Sequence, residues 1–424
     1  MTGTHSLTRP GTPTVLGAAP GTTEDAGTYT ATGGYGTATG PAELLELIAT
    51  AGLRGRGGAG FPTAVKLRAV RDAGTRPVVV ANGEEGEPGS VKDRWLLRAR
   101  PHLVLDGLER AAQITGADRG YVYLSDAAAG DRVRRALAER APGLEVEVVD
   151  TPHAYVAGEE TAVVRRINGG PALPTAKPPR PHEQGVGDAP TLVANVETLA
   201  RIALIAARPD QRHRTARTTL VTLAGGGADP LLAEVPYGQT LRSLAAAQGS
   251  TEPSGALMGG LFGGLISPGS LGLALDPDTL TAAGTALGCG ALRFLAPGEC
   301  PVSLASAALA HLAAESARQC GVCVAGTGAI RDTVGALTTG TAAPDVADRL
   351  HRWSTSLPGR GACGLLDAAA GTAGSLLRAF PHLVRSHLGN ACPACAAPAA
   401  RLTVAVPLVV GPVVPHQRTA PRSR

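Results

Sequence analysis

The chain has 424 residues, 44 % of them hydrophobic and 17 % charged, and 39 basic against 35 acidic residues leave a formal net charge of +4. That apolar content excludes a disordered chain, and a charge this weak, without a dense Lys/Arg run, argues against nucleic acid as a partner. Aromatic residues are only 3 %, whereas 56 glycines and 33 prolines favour loops that approach ligands through backbone over aromatic stacking platforms.

Residues 1–40, rich in Gly, Thr and Pro without periodicity, are expected as a flexible lead-in. Their opening, MTGTHSLTRPGTP, lacks a basic start followed by an apolar run, so no signal peptide is expected. Helical spacing of Leu44, Leu45 and Ile48 follows Pro41, a residue suited to a first turn. A glycine loop covers Arg54 to Gly60, and a second helix runs through Val70. Val78, Val79 and Val80 predict a buried strand ending at Asn82. Residues 119–123 and 144–149 predict further strands, with Asp131 to Glu139 helical between them, and this alternation gives an α/β domain over 41–215. Beyond it, a strand at Leu220 to Leu223, a helix at Leu241 to Ala247 and glycine-punctuated strands from Gly255 to Gly269 form a small α+β module over 216–285. Ala- and Leu-rich helical stretches from Ser303 to Ala317 and Leu365 to Leu388 make 286–390 mainly helical, and 391–424 is an irregular tail. No stretch reaches the roughly 18–20 uninterrupted apolar residues that span a bilayer, so a cytoplasmic protein without membrane insertion is expected. Its seven cysteines, all beyond residue 288, are then thiols or metal ligands rather than disulfides.

The segment Gly55-Arg56-Gly57-Gly58-Ala59-Gly60 contains G-x-G-x-x-G. A predicted helix precedes it where a dinucleotide fingerprint needs a strand. Its glycines can still turn successive N–H groups toward an anion at the head of the following helix, with Lys66 within reach of a phosphate; a plain turn is the alternative. Glu84, Glu85 and Glu87 follow a strand end, where open α/β sheets bind ligands and where carboxylates suit ribose hydroxyls. Tyr155, Gly158, Glu159 and Glu160 form a second acidic turn, and Lys177, Asn195 and Thr198 add a cation and neutral polar groups. No Ser/His/Asp order or paired-His spacing supports hydrolysis. Lys92-Asp93-Arg94 is read as a structural ion pair and His102 as capping or packing a helix, while His153, His182 and His311 show no partners.

The stretches GLRGRGGAGFPTAVKL, NGEEGEPGSVKDRWLLRARPHL, YVAGEETAVVRRI, AKPPRP and ANVETLA together resemble the FMN- and NADH-binding F-type subunits of respiratory NADH:quinone oxidoreductase (complex I). They are similar also to the flavoprotein subunits of NAD-linked hydrogenases and formate dehydrogenases. The resemblance implies an α/β FMN-binding domain of the complex I F-subunit type, then a β-grasp-like (SLBB) module and a C-terminal helical bundle carrying a 4Fe–4S cluster. It implies that Gly55, Arg56, Gly57, Gly58 and Lys66 hold the FMN phosphate region, with Asn82, Glu84, Tyr155, Gly158, Glu159, Glu160, Asn195 and Thr198 around the flavin. Phe61, Glu85, Glu87 and Lys177 would face the nicotinamide nucleotide, the two glutamates as catalytic groups. The implied activity is hydride transfer from NADH to FMN, followed by electron transfer to an iron–sulfur or other redox protein in a hetero-oligomer.

Several positions depart from the family pattern. Glu84 stands for an Asp and Ala194 for an Asn; Ala69 and Arg180 replace two aromatics of the adenine end, which leaves NADPH open beside NADH. In the C-x-x-C-x-x-C cluster motif Cys320 and Cys323 are present, the third position is Gly326, and Cys363 matches the distant fourth cysteine. Three thiolates fall one short of the usual set. Either one iron takes an exogenous or non-family ligand, or Cys392 or Cys395 moves in, or no cluster forms; the alternative function is a non-catalytic flavin- or nucleotide-binding scaffold or regulatory subunit with a degenerate cluster site. Cys392 and Cys395 have C-x-x-C spacing suited to metal or redox chemistry, with two incidental tail thiols as the plain reading. Cys289 and Cys300 are expected as small buried hydrophobes.

Overall fold

The computed structural model describes residues 4–404 apart from 9–13, 18–21, 37–38, 75 and 397–401. Strand β1 (Thr4–Ser6) and helix α1 (Ala26–Ala31) precede α2 (Pro41–Ala51), which begins on proline and ends at Gly52 in the left-handed region, φ 70°. Leu44, Leu45 and Ile48 recur at helical spacing and enter the core. The glycine loop leads into α3 (Thr63–Arg71) and then β2 (Val78–Asn82). Helices α4 (Lys92–Ala99) and α5 (Pro101–Thr115), strand β3 (Arg119–Leu124), helix α6 (Ala127–Glu139) and strand β4 (Glu145–Asp150) follow. Helix α7 (Glu160–Ile167), strand β5 (Thr191–Asn195) and helix α8 (Val196–Ala207) complete the unit.

Its four strands are all parallel, in the order β4-β3-β2-β5. Side chains alternate along them. Val79, Ala81, Val122 and Leu124 enter one core with α2, α3, α5 and α8, and Val78, Val80, Tyr121, Tyr123 and Val193 enter another with α7. Coverage of both faces is what an all-parallel sheet requires. From β2 the chain moves outward through β3 to β4, then returns on the far side of β2 as β5. Such a reversal leaves a crevice beyond the carboxyl ends of the two strands, where these sheets take ligands. Asn82 and Asn195 end β2 and β5 in register with one another.

A second, mixed sheet follows α9 (Arg212–Ala216). It contains β6 (Thr218–Gly225), β7 (Leu231–Pro236), β8 (Ala256–Leu257), β9 (Leu265–Ile266) and β10 (Ala291–Phe294). Helices α10 (Leu241–Gln248) and α11 (Pro277–Ala282) lie between its strands in sequence. The order is β1-β7-β6-β10-β8-β9. The lead-in expected to be loose is therefore partly built in: β1 pairs in parallel with β7, and Val15, Leu16 and Tyr29 are buried in the main core. Leu16 N–H donates to Glu234 Oε2 at 3.2 Å. Backbone pairing holds Thr4–Ser6, so no apolar pattern announces it.

Helices α12 (Pro301–Ala314), α13 (Gly321–Thr338), α14 (Val346–Ser356), α15 (Leu365–Ala379) and α16 (Pro381–Ser386) form the last unit. Ala368, Ala369, Ala370 and Ala373 are fully buried, and these small side chains let α15 pack against α12, α13 and α14. The tail does not simply trail away: a turn spans Pro393–Cys395, and Val404 N–H donates to Pro88 O at 3.0 Å. Residues 405–424 lie outside the described residues.

Candidate functional site

The glycine loop is closed at its base, where Gly55 N–H donates to Phe61 O at 2.9 Å and Thr63 N–H to Leu53 O at 2.9 Å. Gly58 and Gly60 adopt φ +119° and +62°, which side-chain-bearing residues avoid. A Cβ on Gly57 would come within 3.3 Å of Asn195 Cβ. Between these anchors the N–H groups of Gly57, Gly58, Ala59 and Gly60 donate to no acceptor among the described residues. Consecutive unpartnered amides are the makings of an anion nest. Phe61, at the loop's end, is 52 % exposed.

Arg56 departs from its expected role. Its backbone N–H donates to Thr198 Oγ1 at 2.9 Å, but its guanidinium turns away from the loop into the interior. There it donates to Ala216 O at 2.6 Å and Thr218 O at 2.8 Å and lies 5.3 Å from the centre of the Tyr237 ring. Arg56 anchors the loop because two inward-facing carbonyls accept its hydrogen bonds and Glu197, 3.8 Å from Nε, balances its charge, and its side chain is not free for a cofactor.

At the end of β2, Asn82 Nδ2 donates to Gly158 O at 2.8 Å, tying the first acidic loop to the second. Gly86 allows the two to touch, since a Cβ there would lie 2.6 Å from Ala154 O. Glu84 is buried, with Oε1 3.1 Å from His153 Nδ1 and Oε2 without a hydrogen-bond partner. The hydrogen bond to Glu84 raises the pKa of His153, which the sequence had left partnerless. Glu85, expected to face nucleotide, is consumed locally. Its Oε1 accepts from Ser90 Oγ at 2.5 Å and Asp93 N–H at 3.1 Å, and its Oε2 from Arg94 N–H and Nε at 3.2 Å each. Those bonds satisfy orphan donors in the first turn of α4, so Glu85 is a capping residue.

Glu87 is different. Burial pushes its carboxyl up to about 7, although Leu261 N–H and the Tyr155 hydroxyl both donate to it. It is thus the acidic-loop residue poised to change protonation near neutrality.

Lys66 and Lys177 do not stand free. Lys66 Nζ donates to Val193 O at 2.8 Å and to Glu160 Oε2 at 3.2 Å, and Lys177 Nζ lies 2.7 Å from Glu159 Oε1 and 3.2 Å from Glu160 Oε1. Glu159 also caps α7 through Thr161 N–H at 2.8 Å and Ala162 N–H at 3.3 Å. Burial favours the neutral form of Glu160, but the two lysines override it and hold the carboxyl below its usual range. Asn195 caps α8 through Glu197 N–H at 3.0 Å and donates from Nδ2 to Asp93 Oδ2 at 2.8 Å.

Beneath this surface lies a buried charge network that sequence reading saw only in part. Lys92 Nζ is 2.7 Å from Asp93 Oδ1 and 3.4 Å from Glu197 Oε2. Arg201 bridges Glu197 at 2.9 Å and Glu234 at 3.4 Å. Burial works against the charge on Glu197, yet Arg201, Lys92 and Arg56 hold its pKa below the usual value. The network fixes the head of α8, and so Thr198, against the glycine loop.

In the helical unit, burial raises the Cys363 thiol pKa, and the nearby Cys323 and Cys320 thiols add to the effect. A Cβ on Gly326 would lie 3.0 Å from Leu366 Cδ1 and 3.3 Å from Leu357 Cδ1. Cys392 and Cys395 lie instead with Cys300 and His387, their ligand atoms all within 4.8 Å of one another. Cys300 is therefore more than a small hydrophobe, and His387 was not singled out by the sequence.

The sequence profile of the Nuo51 FMN-binding domain matches residues 48–204, and that of the NADH-ubiquinone oxidoreductase-F iron-sulfur binding region matches residues 303–387. The second F-type NADH-quinone oxidoreductase subunit of Rhizobium meliloti (strain 1021) is 32 % identical over 380 residues, covering 81 % of this chain and 89 % of the relative. The chain belongs to the F-subunit family of NADH-quinone oxidoreductase. A further relative, the NADP-reducing hydrogenase subunit HndC of Solidesulfovibrio fructosivorans, is 31 % identical, covering 84 % of this chain and 78 % of its own. An NAD+-reducing [NiFe]-hydrogenase in the H2-reduced state superposes with a TM-score of 0.73 at 29 % identity over 82 % of this chain. This chain spans 63 % of that hydrogenase chain's length.

Within the frame of this F-subunit family, FMN fits the first unit. The four free amides of the glycine loop and the buried unpartnered Glu84 Oε2 offer donors and an acceptor beside Asn82 and Asn195, at the carboxyl ends of β2 and β5. A four-thiolate cluster does not fit the last unit, because the third position lacks a side chain and Leu357 and Leu366 close over it.

Proposed function

We propose that this chain is the hydride-accepting flavoprotein subunit of an NAD(P)H dehydrogenase of diaphorase type. The glycine loop and the residues at the ends of β2 and β5 would hold FMN, which when bound would supply a hydride acceptor for NADH and a donor of single electrons to the next centre. The observation that carries the reading is the run of unpartnered amides from Gly57 to Gly60, set beside the crevice between β2 and β5. These amides bind the FMN phosphate, and the loop's attachment to Thr198 fixes where they point. Asn82, Glu84, Gly158 and Asn195 line the flavin side. Phe61, with its ring exposed, offers an apolar face to the nucleotide. Tyr155 donates to Glu87, whose carboxyl packs against Gly260 and Leu261, and this pair is the proton-exchanging group of the acidic loop; Lys177 and Lys66 become phosphate partners only by exchanging Glu159 and Glu160.

The thiols of Cys320, Cys323 and Cys363 are one short of a four-thiolate set, so the electron acceptor is proposed as a centre on a partner subunit, iron–sulfur or other. A hetero-oligomer accords with the relatives, which are named as subunits of larger enzymes. The module over 216–285, whose mixed sheet is extended by β1 and by β10 at Ala291–Phe294, is proposed as an SLBB-like β-grasp module, and the helices from α12 onward as a unit of the family's iron–sulfur type. Among the described residues no helix is long and apolar enough to cross a membrane; a cytoplasmic subunit, peripheral to any membrane complex, is proposed. The non-catalytic scaffold reading is not favoured by these relatives. Equilibrium titration of flavin-depleted protein with FMN tests the site: tight one-to-one binding, abolished by a change in the glycine loop, supports it, and absence of binding removes it.

A further inference from the structure

We propose that Cys300, His387, Cys392 and Cys395 form a Cys3His site for a single zinc ion, and that this ion pins the C-terminal segment across the turn that carries Glu87. Three observations carry the site.

Its ligand atoms are already at the spacing one ion demands. Cys300 Sγ lies 3.4 Å and Cys395 Sγ 3.5 Å from His387 Nε2. With Zn–S near 2.3 Å and Zn–N near 2.0–2.1 Å, a tetrahedron has an S···N edge of about 3.6 Å. All four ligand atoms fall within 4.8 Å of one another. A cubane cluster presents each iron outward to its own thiolate and would hold the four farther apart.

The imidazole is oriented for metal. His387 Nδ1 donates to Leu383 O at 2.6 Å, which places the proton there and leaves the Nε2 lone pair facing the sulfurs. Carbonyl support of this kind recurs behind metal-bound histidines.

The two tail cysteines are presented by a tight turn. Cys395 N–H donates to Cys392 O at 3.0 Å and Ala396 N–H to the same carbonyl at 3.3 Å. Both thiols lie toward the head of α12, where Cys300 immediately precedes the helix. Three thiolates and a neutral imidazole are a closed structural donor set for zinc.

The consequence follows from the chain beyond. Val404, nine residues after Cys395, donates its N–H to Pro88 O at 3.0 Å, and a Cβ on Gly89 would lie 4.0 Å from Leu402 O. Residues 402–404 thus rest on the turn next to Glu87, and the ion fixes where that segment begins.

The test uses the full chain, purified without chelator, with metals counted per chain and zinc exchanged for Co2+. The expected results are one zinc per chain and, after exchange, the intense visible bands of tetrahedral thiolate-bound Co2+. His387→Ala and Cys392→Ser should each weaken zinc binding at least tenfold. If those variants fail to fold, the Co2+ spectrum of the unaltered chain decides. Wild-type protein that binds neither zinc nor tetrahedral Co2+ overturns the site. So does stoichiometric iron, with or without sulfide, that disappears with Cys392→Ser. For the pinning, zinc removal should speed hydrogen exchange at the Val404 amide at least tenfold and leave β2 unchanged; equal protection with and without zinc overturns it. None of these readings involves flavin or NADH, so their failure is separable from failure of the dehydrogenase reading.

Discussion

The backbone N–H of Arg56 donates to Thr198 Oγ1 at 2.9 Å, joining the glycine loop to the first turn of α8 across 142 positions of sequence. This one hydroxyl sets the loop's height over the sheet. Thr198→Val keeps the shape and removes the acceptor, leaving a buried donor unpaired at a cost of about 1–3 kcal/mol. FMN affinity is expected to fall about tenfold while the protein stays folded. A variant that binds FMN as tightly as the parent would show that the tether does not position the amides.

Gly58 offers a cleaner perturbation. No atom lies within 4 Å of a Cβ built there, although its φ is +119°. Gly58→Asp therefore meets no steric block, accepts some backbone strain, and places a carboxylate beside the four amides. Purification should yield folded protein without flavin. Stoichiometric FMN in this variant would refute the phosphate site.

Glu87 provides a pH signature. Burial lifts its pKa from 4.5 to about 7, so the folded state holds this proton more tightly than the unfolded chain does. The resulting stabilisation is complete below the unfolded value and is lost as pH rises through about 7. Glu87→Gln should therefore flatten the fall in melting temperature with rising pH across that window. An unchanged slope would mean that another group titrates there.

Glu85 and Glu87, two residues apart, are expected to separate in their effects. Glu85 accepts four hydrogen bonds at the head of α4, and charged acceptors of this kind contribute about 1.5–3 kcal/mol each when buried. Glu85→Gln should lower the melting temperature and leave the rate of NADH reduction per bound flavin unaltered. A loss of rate per flavin without a loss of stability would return Glu85 to the nucleotide.

What the sequence made legible was local. The apolar spacing of α2, the three valines of β2 and the glycine run between helices each state their own structure, and they frame the site. The tethers were hidden because their partners are distant: Arg56 and Thr198, or Lys92 and Glu197, carry no pattern that marks them as neighbours. Strand β1, of sequence Thr-His-Ser, is held by backbone bonds to β7 and has no hydrophobic signature. The C-x-x-C spacing of Cys392 and Cys395 hinted at metal chemistry, but nothing in the order of residues joins it to Cys300 or His387. Glu85 and Glu87 look alike in sequence. Only the donors around each distinguish a helix cap from a titrating acid.

The most direct test is anaerobic addition of NADH to the FMN-loaded protein, followed by its visible flavin absorbance. One equivalent of NADH should bleach the flavin band within the mixing time of a rapid-kinetics experiment, with the flavin bound throughout. Bound flavin that stays oxidised in the presence of excess NADH and of NADPH would contradict the account.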